Sequence, residues 1–309
     1  MSELTSVDAA LLETIADMPG GQAKGALNIR KDSGCAERVT TENIDIRTKE
    51  DKPGIDIIIK PGTKNETCHI PVIITKSGLS ETVYNDFYVG EDSDVTIIAG
   101  CGIHNCGGDA SRHDGVHTFH IGKNARVAYV EKHYGEGDGG GKNIMNPQTV
   151  AYLEEGAFLK MDTSQIRGVD STKRDTKIVC GPGAETVVTE RLQTHGEQTA
   201  ESNMEIVLDG DGSKGQVVSR SVAQERSVQV FYPRMTGNAK CFGHVQCDSI
   251  IMDGARITSI PALTANSTEA QLIHEAAIGK IAGDQLLKLQ TLGLTAEEAE
   301  ERILKGFLA

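Results

Sequence analysis

Val89-Gly90-Glu91-Asp92-Ser93-Asp94-Val95, Ile121-Gly122-Lys123-Asn124-Ala125-Arg126-Val127 and Leu153-Glu154-Glu155-Gly156-Ala157-Phe158-Leu159 repeat one phrase: an apolar residue, a turn built from Gly, Asn or Asp, a small residue, then a strand. The phrase returns at Cys180-Gly181-Pro182-Gly183-Ala184-Glu185-Thr186-Val187, Gly237-Asn238-Ala239-Lys240 and Gly254-Ala255-Arg256-Ile257. Successive turns fall roughly 16 to 32 residues apart, the spacing of a solenoid in which each coil buries its face on the next. Periodicity alone leaves a β-sandwich open as the alternative.

On either side of this stretch the texture changes. Ser6 followed by Val7-Asp8-Ala9-Ala10-Leu11-Leu12-Glu13-Thr14-Ile15-Ala16 has an N-cap residue and helical apolar spacing, and Pro19-Gly20-Gly21 ends it. Near the other end, Asp284–Gln290 predicts a helix stopped at Gly293, and Thr295-Ala296-Glu297-Glu298 is a capping box that opens a second helix through Phe307. The sequence thus divides into an N-terminal helix and lead-in (1–50), a β-solenoid core (51–281) and a C-terminal helical hairpin (282–309). The hairpin's apolar residues, among them Leu286, Leu289, Leu294, Ile303, Leu304, Phe307 and Leu308, exceed what two short helices bury against each other. They dock on the solenoid or receive a partner.

Composition excludes several functions. Lys+Arg 31 against Asp+Glu 44 gives a formal charge of −13, the wrong sign for a nucleic-acid partner. The apolar runs Ile55–Ile59 and Pro71–Thr75 are far short of the roughly 20 residues of a membrane helix, and no basic-then-apolar leader opens the chain, so no membrane association and a cytoplasmic location are expected. The seven cysteines are odd in number and irregularly spaced, which points to reduced thiols. Gly135-Glu136-Gly137-Asp138-Gly139-Gly140-Gly141-Lys142-Asn143 has the look of a phosphate loop but places Glu136 and Asn143 where that motif needs Gly and Ser/Thr.

Two clusters carry ligand chemistry. The first runs from Cys101-Gly102-Ile103-His104-Asn105-Cys106 through His113, His117, His120 and His133. Thiolate and imidazole suit iron, zinc or copper, though the spacing fits no zinc template, and Gly102 and Gly107 leave room for close backbone approach. Cys101 follows a strand, where it is a reactive thiol or a turn residue. The second comprises Cys241-Phe242-Gly243-His244-Val245-Gln246-Cys247-Asp248-Ser249 and Ile273-His274-Glu275-Ala276. On a regular strand Cys241 and Cys247 face one way and His244 the other, and the neighbours His274 and Glu275 face opposite ways. One such cysteine per chain cannot complete a cubane cluster alone.

The second cluster belongs to an ordered series: Gln246-Cys247-Asp248-Ser249, Leu272-Ile273-His274-Glu275-Ala276, Gly279-Lys280-Ile281, Asp284-Gln285-Leu286, and Gly293-Leu294-Thr295-Ala296-Glu297-Glu298-Ala299 through Gly306-Phe307. This series resembles the ending of the SufB/SufD family of iron–sulfur cluster assembly scaffolds, and Asp94–Cys101 resembles a mid-chain segment of SufB proteins, so the likeness covers roughly residues 50 to 309. The chain looks like a compact version with a shortened N-terminal part. The resemblance implies a mainly β protein, a right-handed parallel β-helix with flanking helices. It implies a non-catalytic scaffold that dimerises through the β-helix end and works with a separate SufC-like ABC ATPase in a two-plus-two complex, before delivery to recipient apo-proteins. By position it makes Cys247, His274 and Glu275 the ligands of a transient two-iron or four-iron cluster and Cys101 the sulfur acceptor. Cys106, His104 and Cys241 are possible extra ligands, and Asp284, Gln285, Leu286, Leu289 and Phe307 lie in the segment that docks the ATPase. Two other readings stand beside it. One is a SufD-like structural subunit without its own cluster, which lacks the ligands that Cys247 and Glu275 provide here; the other is a β-helix carbohydrate binder, disfavoured by 4% aromatic residues and no Trp.

Overall fold

The computed structural model describes residues 4–309. It is the parallel β-helix expected from the sequence, with a short N-terminal helix and a C-terminal helical hairpin. Its coils are made of two strands each, one in a ten-stranded sheet and one in an eleven-stranded sheet. In the first sheet Asp94, Arg126, Phe158, Glu185, Lys214, Phe242 and Gln271 stand in one register line, so successive coils advance by 32, 32, 27, 29, 28 and 29 residues. This parallel stacking excludes the sandwich. The shorter spacing of about 16 in the sequence is half a coil, since Gly237–Lys240 and Gly254–Ile257 form opposite corners. Left-handed residues turn the corners, Asp92 (φ 55°), Asn124 (φ 55°), Gly156 (φ 68°) and Gly183 (φ 64°) among them, which is why Gly, Asn and Asp recur there.

Side chains alternate in and out along each strand, and the inward ones stack in files across coils. One file reads Cys68, Ile97, Tyr129, Met161, Val188, Val217, Val245, His274. All but the last are buried, and each such apolar side chain contributes roughly 1.5–3 kcal/mol. The adjoining inward file reads Ile70, Ala99, Glu131, Thr163, Glu190, Ser219, Cys247, Ala276. It turns polar in mid-barrel and carries one of the two candidate thiols.

The two ends of the solenoid differ. At the N-terminal end the strands Gly34–Val39 and Ile44–Thr48 pair antiparallel with Ala26–Lys31 and Gly54–Ile59. They are short, one pairing is broken by a bulge at Ile29/Arg30, and they carry Glu37, Arg38, Asp45 and Arg47. Helix α1 (Ser6–Ala16) begins on Thr5, one residue before the Ser6 cap expected: the Thr5 hydroxyl accepts from the Asp8 amide at 3.2 Å and the Asp8 carboxylate accepts from the Thr5 amide at 2.6 Å. Leu11, Leu12 and Ile15 pack it onto the outer face of the first sheet. Gly100 and Gly102 make room for it, since a Cβ on Gly100 would lie 2.4 Å from the Ile15 carbonyl oxygen and one on Gly102 3.1 Å from Leu11. Gly102 thus serves helix packing rather than approach to a metal.

At the C-terminal end the last strand, Ala270–Gly279, is largely exposed and lies at the sheet's edge. Helices α2 (Gly283–Thr291) and α3 (Ala296–Phe307) follow, α3 opened by the expected Thr295/Glu298 capping box. Helix α3 buries Ala299 and Leu304 and returns along the outer face, where Arg220 donates to the carbonyl oxygens of Phe307 and Ala309 at 3.3 and 3.0 Å. No residue of α2 is buried.

Candidate functional site

Cys247 and His274 lie on adjacent strands in adjoining inward files, and their Sγ and Nε2 atoms are 3.6 Å apart. Cys247 is buried; burial pushes its thiol up to about 12, although the Ser259 hydroxyl beside it pulls the other way. The thiol is therefore protonated at neutral pH and must lose that proton before it binds a metal. Burial, then the neighbouring His244, pushes the His274 imidazole below its ordinary value, so it is the neutral acceptor nearest the thiol. Glu275 occupies the opposite, outward face, where its carboxylate lies 3.5 Å from Nε2 of His244 and is mostly exposed. One chain thus brings together Cys247 and His274 and turns Glu275 away from them. Cys241 shares the inward face of the Cys247 strand, which is regular through Gly243, but six residues of strand separate the two by about 20 Å.

Behind Cys247 the interior carries a line of ionised and hydroxyl groups. Ser219 is its register neighbour and donates to Glu190 at 3.1 Å; Ser202 donates to the other Glu190 oxygen at 2.7 Å. Arg174, fully inside the coil, lies 3.9 Å from Glu190, hydrogen-bonds Glu131 and approaches Nδ1 of His133 at 3.4 Å. Burial would raise Glu131, yet the Arg174 guanidinium holds it well below the usual carboxylate range. Tyr129 donates to Glu131 at 3.1 Å and so accepts from Nδ1 of His117 at 2.7 Å, which leaves His117 Nε2 to accept from Asn85 at 3.3 Å. That tautomer is neutral, in keeping with a His117 that burial pushes down to about 4. Further along, His113 pairs with Glu81 at 3.1 Å and Arg30 with Glu81 at 2.8 Å.

Cys101 enters this interior at the register position next to His133. Burial, then the charges of Glu81 and Glu131, pushes its thiol well above the ordinary value. Five strand spacings of about 4.8 Å place it roughly 24 Å from the Cys247 strand. His113, His117 and His120 do not converge: the first two enter the buried network, whereas His120 stacks between Tyr88 and Tyr152 on the outer face. Cys106 is exposed, with its Sγ 3.0 Å from Nε2 of His104, whose Nδ1 lies 2.9 Å from Glu136. Among the described residues no group of three or more His, Cys, Asp or Glu side chains could hold a metal ion. Of the docking residues expected in the hairpin, Asp284 and Gln285 are exposed and Leu286, Leu289 and Phe307 half-buried.

Glu131, Arg174, Glu190 and Ser219 were not singled out from the sequence. A signal was there in Val127-Ala128-Tyr129-Val130-Glu131-Lys132-His133, which sets a carboxylate and an imidazole on the same alternation as two apolar residues. No helix among the described residues is long and apolar enough to cross a membrane.

Comparison with known proteins bears on this geometry. A family profile described as SUF system FeS cluster assembly, SufBD core domain, matches residues 74–307. An iron–sulfur cluster assembly SufBD family protein of Methanocaldococcus jannaschii is 28% identical, the match covering 92% of this chain and 90% of that protein. Proteins of the same description from Methanothermobacter thermautotrophicus (28% identical; 83% of this chain, 62% of that one) and Archaeoglobus fulgidus (27%; 84% and 69%) are also similar. With a parallel solenoid and a family match that spans most of its coils and both C-terminal helices, the chain belongs to the SufBD family of iron–sulfur cluster assembly proteins.

Proposed function

We propose that this chain is a scaffold subunit of the SufB kind, on which a transient iron–sulfur cluster is built between two copies of the chain at the open end of the solenoid. The observation that carries the reading is the Cys247 thiol 3.6 Å from the His274 imidazole on the last two strands of the first sheet. Two side chains are too few to hold a two-iron or four-iron cluster, so the remaining ligands come from a second copy, with Glu275 recruited from the outer face as the interface rearranges. The same end exposes Phe242, Ile260, Leu263, Ile273 and Ile278, each about two-fifths to one-half accessible, an apolar surface suited to a partner. Cys247 supplies its sulfur only once deprotonated.

The helical hairpin is the proposed seat of a separate ABC-type ATPase. Helix α2 buries nothing, and Leu287 and Leu292 are 60% and 74% exposed. A pull on the hairpin reaches the last coils through Arg220 and through Lys280–Ala282, which join α2 to the Ala270–Gly279 strand. Sulfur taken up near Cys101 travels inside the coils along the Glu131–Glu190–Ser219 file, and the finished cluster passes to recipient apo-proteins in the cytoplasm. The chain itself performs no catalysis; ATP hydrolysis belongs to the partner. The decisive test is anaerobic reconstitution with iron and sulfide. Cys247→Ser should abolish the iron–sulfur absorbance and His274→Ala should weaken it, and full retention of the cluster in Cys247→Ser would sink the reading.

A further inference from the structure

At the corner after the Asp94–His104 strand, Cys106 and His104 meet Glu136, the last residue of the neighbouring Arg126–Glu136 strand, so that a thiol, an imidazole and a carboxylate stand in series. Nδ1 of His104 donates to Glu136 Oε1 at 2.9 Å, which leaves Nε2, 3.0 Å from Cys106 Sγ, free to take the thiol proton. Tyr134 donates to the other Glu136 oxygen at 3.1 Å and fixes the carboxylate. This is the nucleophile–base–orienter order of an activated thiol.

We propose that Cys106, His104 and Glu136 form a surface thiol that accepts sulfane sulfur from a persulfide donor. The cargo rests on the scaffold reading; the nucleophilic thiol does not. Cys106 sulfur attacks the outer sulfur of R–S–SH as His104 takes its proton. The donor S–S bond breaks, a new S–S bond forms on Cys106, and the leaving R–S⁻ takes the proton from His104. One thiol and one persulfide are consumed and one of each is formed, so no oxidant or reductant is needed. Cys101 cannot meet a donor directly, being only 2% exposed.

A metal reading fits less well. Cys106 and Glu136 approach opposite nitrogens of one ring, so a single ion cannot bind all three groups. The glycine-rich run that resembled a phosphate loop has a place here instead. A Cβ at Gly137, Gly139 or Gly141 would fall 2.1–2.2 Å from the carbonyl oxygens of Asn105, Gly107 and Asp109, so only glycine lets this loop lie against the Cys106 loop. Gly139 and Gly141 donate to Asn105 and Gly107 at 3.3 and 3.0 Å and hold it there.

Cys35, the other exposed cysteine, supplies the control. Its sulfur has two hydrogen-bond partners, Asn28 Oδ1 and the Glu37 carbonyl oxygen, both at 3.6 Å, and neither is an imidazole or a carboxylate. The reduced full chain is incubated with glutathione persulfide, and sulfur addition is mapped by peptide mass spectrometry, with iodoacetamide rates measured in parallel. Cys106 should gain sulfur well before Cys35. His104→Gln should slow both reactions at Cys106 about 100-fold, Glu136→Gln less, with Cys35 unchanged as the sign of a folded chain. Equal labelling of the two cysteines, or a Cys106 rate indifferent to His104→Gln, overturns the proposal. In reconstitution with inorganic sulfide, Cys106→Ser should keep its cluster, and loss of the cluster would make Cys106 a ligand and overturn it too. A cluster surviving Cys247→Ser would instead defeat the scaffold reading and leave the Cys106 result standing.

Discussion

Glu81 shows how a carboxylate stays ionised inside these coils. Burial alone would raise it, but the hydrogen bonds from His113 and Arg30 outweigh that and bring it down to about 2. A folded-state value below the ordinary 4.5 stabilises the fold above pH 4.5, and that contribution fades as pH falls towards 2. Glu81→Gln should cost about 3 kcal/mol at neutral pH, because it strands Arg30 and His113 in a buried site. Urea unfolding across a pH series checks this: the gap between variant and parent should close between pH 4.5 and 2, and a constant gap would refute it. The partners of Glu81 also show where sequence reading stops. His113 stood out as a possible ligand, yet what it touches is 32 residues upstream, one coil away. Coil lengths vary between 27 and 32 residues, and a shift of one residue in register would exchange every inward neighbour for an outward one. The local facts were legible: Cys247 on one face with Cys241, His274 and Glu275 opposed, and the Thr295 capping box. The line from Glu131 through Arg174 to Glu190 was not, because Arg174 stands on the opposite sheet from the two carboxylates and meets them only across the interior.

At the level of elements, many corners were readable because their backbone demands it: left-handed conformations recur at Asp92, Asn124, Gly156, Gly183, Gly212 and Asp253, and few residues accept them. The docking of α1 was not, since its partner surface is the outer side of a strand whose inner side carries Cys101. Gly100 is the close contact between the two. Gly100→Ala forces its Cβ against the Ile15 carbonyl, which should cost about 1–3 kcal/mol and lift the helix. Native-state hydrogen exchange should then speed up across 6–16 while the Asp94–His104 strand stays protected. Unchanged protection of the helix would show that the contact is not limiting.

For the whole molecule, the proposed dimer makes a prediction about solution state. Charges in place of Ile273 and Ile278, which are 45% and 47% exposed, should convert dimer to monomer in sedimentation velocity without unfolding the solenoid. A parent protein that sediments as a monomer at every concentration would exclude the interface. The contrast between the two ends carries a further consequence. A stack of parallel strands is a template at both extremities, and units alike at both ends would polymerise into fibres. Here the first extremity is short, bulged, charged and reversed in direction, whereas the last strand is left bare. Joining tail to tail consumes the bare edge on each molecule and leaves only blunted ones outside. In the proposed dimer, growth by strand addition would therefore terminate after a single step, and the antiparallel hairpins at residues 26–59, far from any thiol chemistry near Cys247, would hold the assembly at two copies.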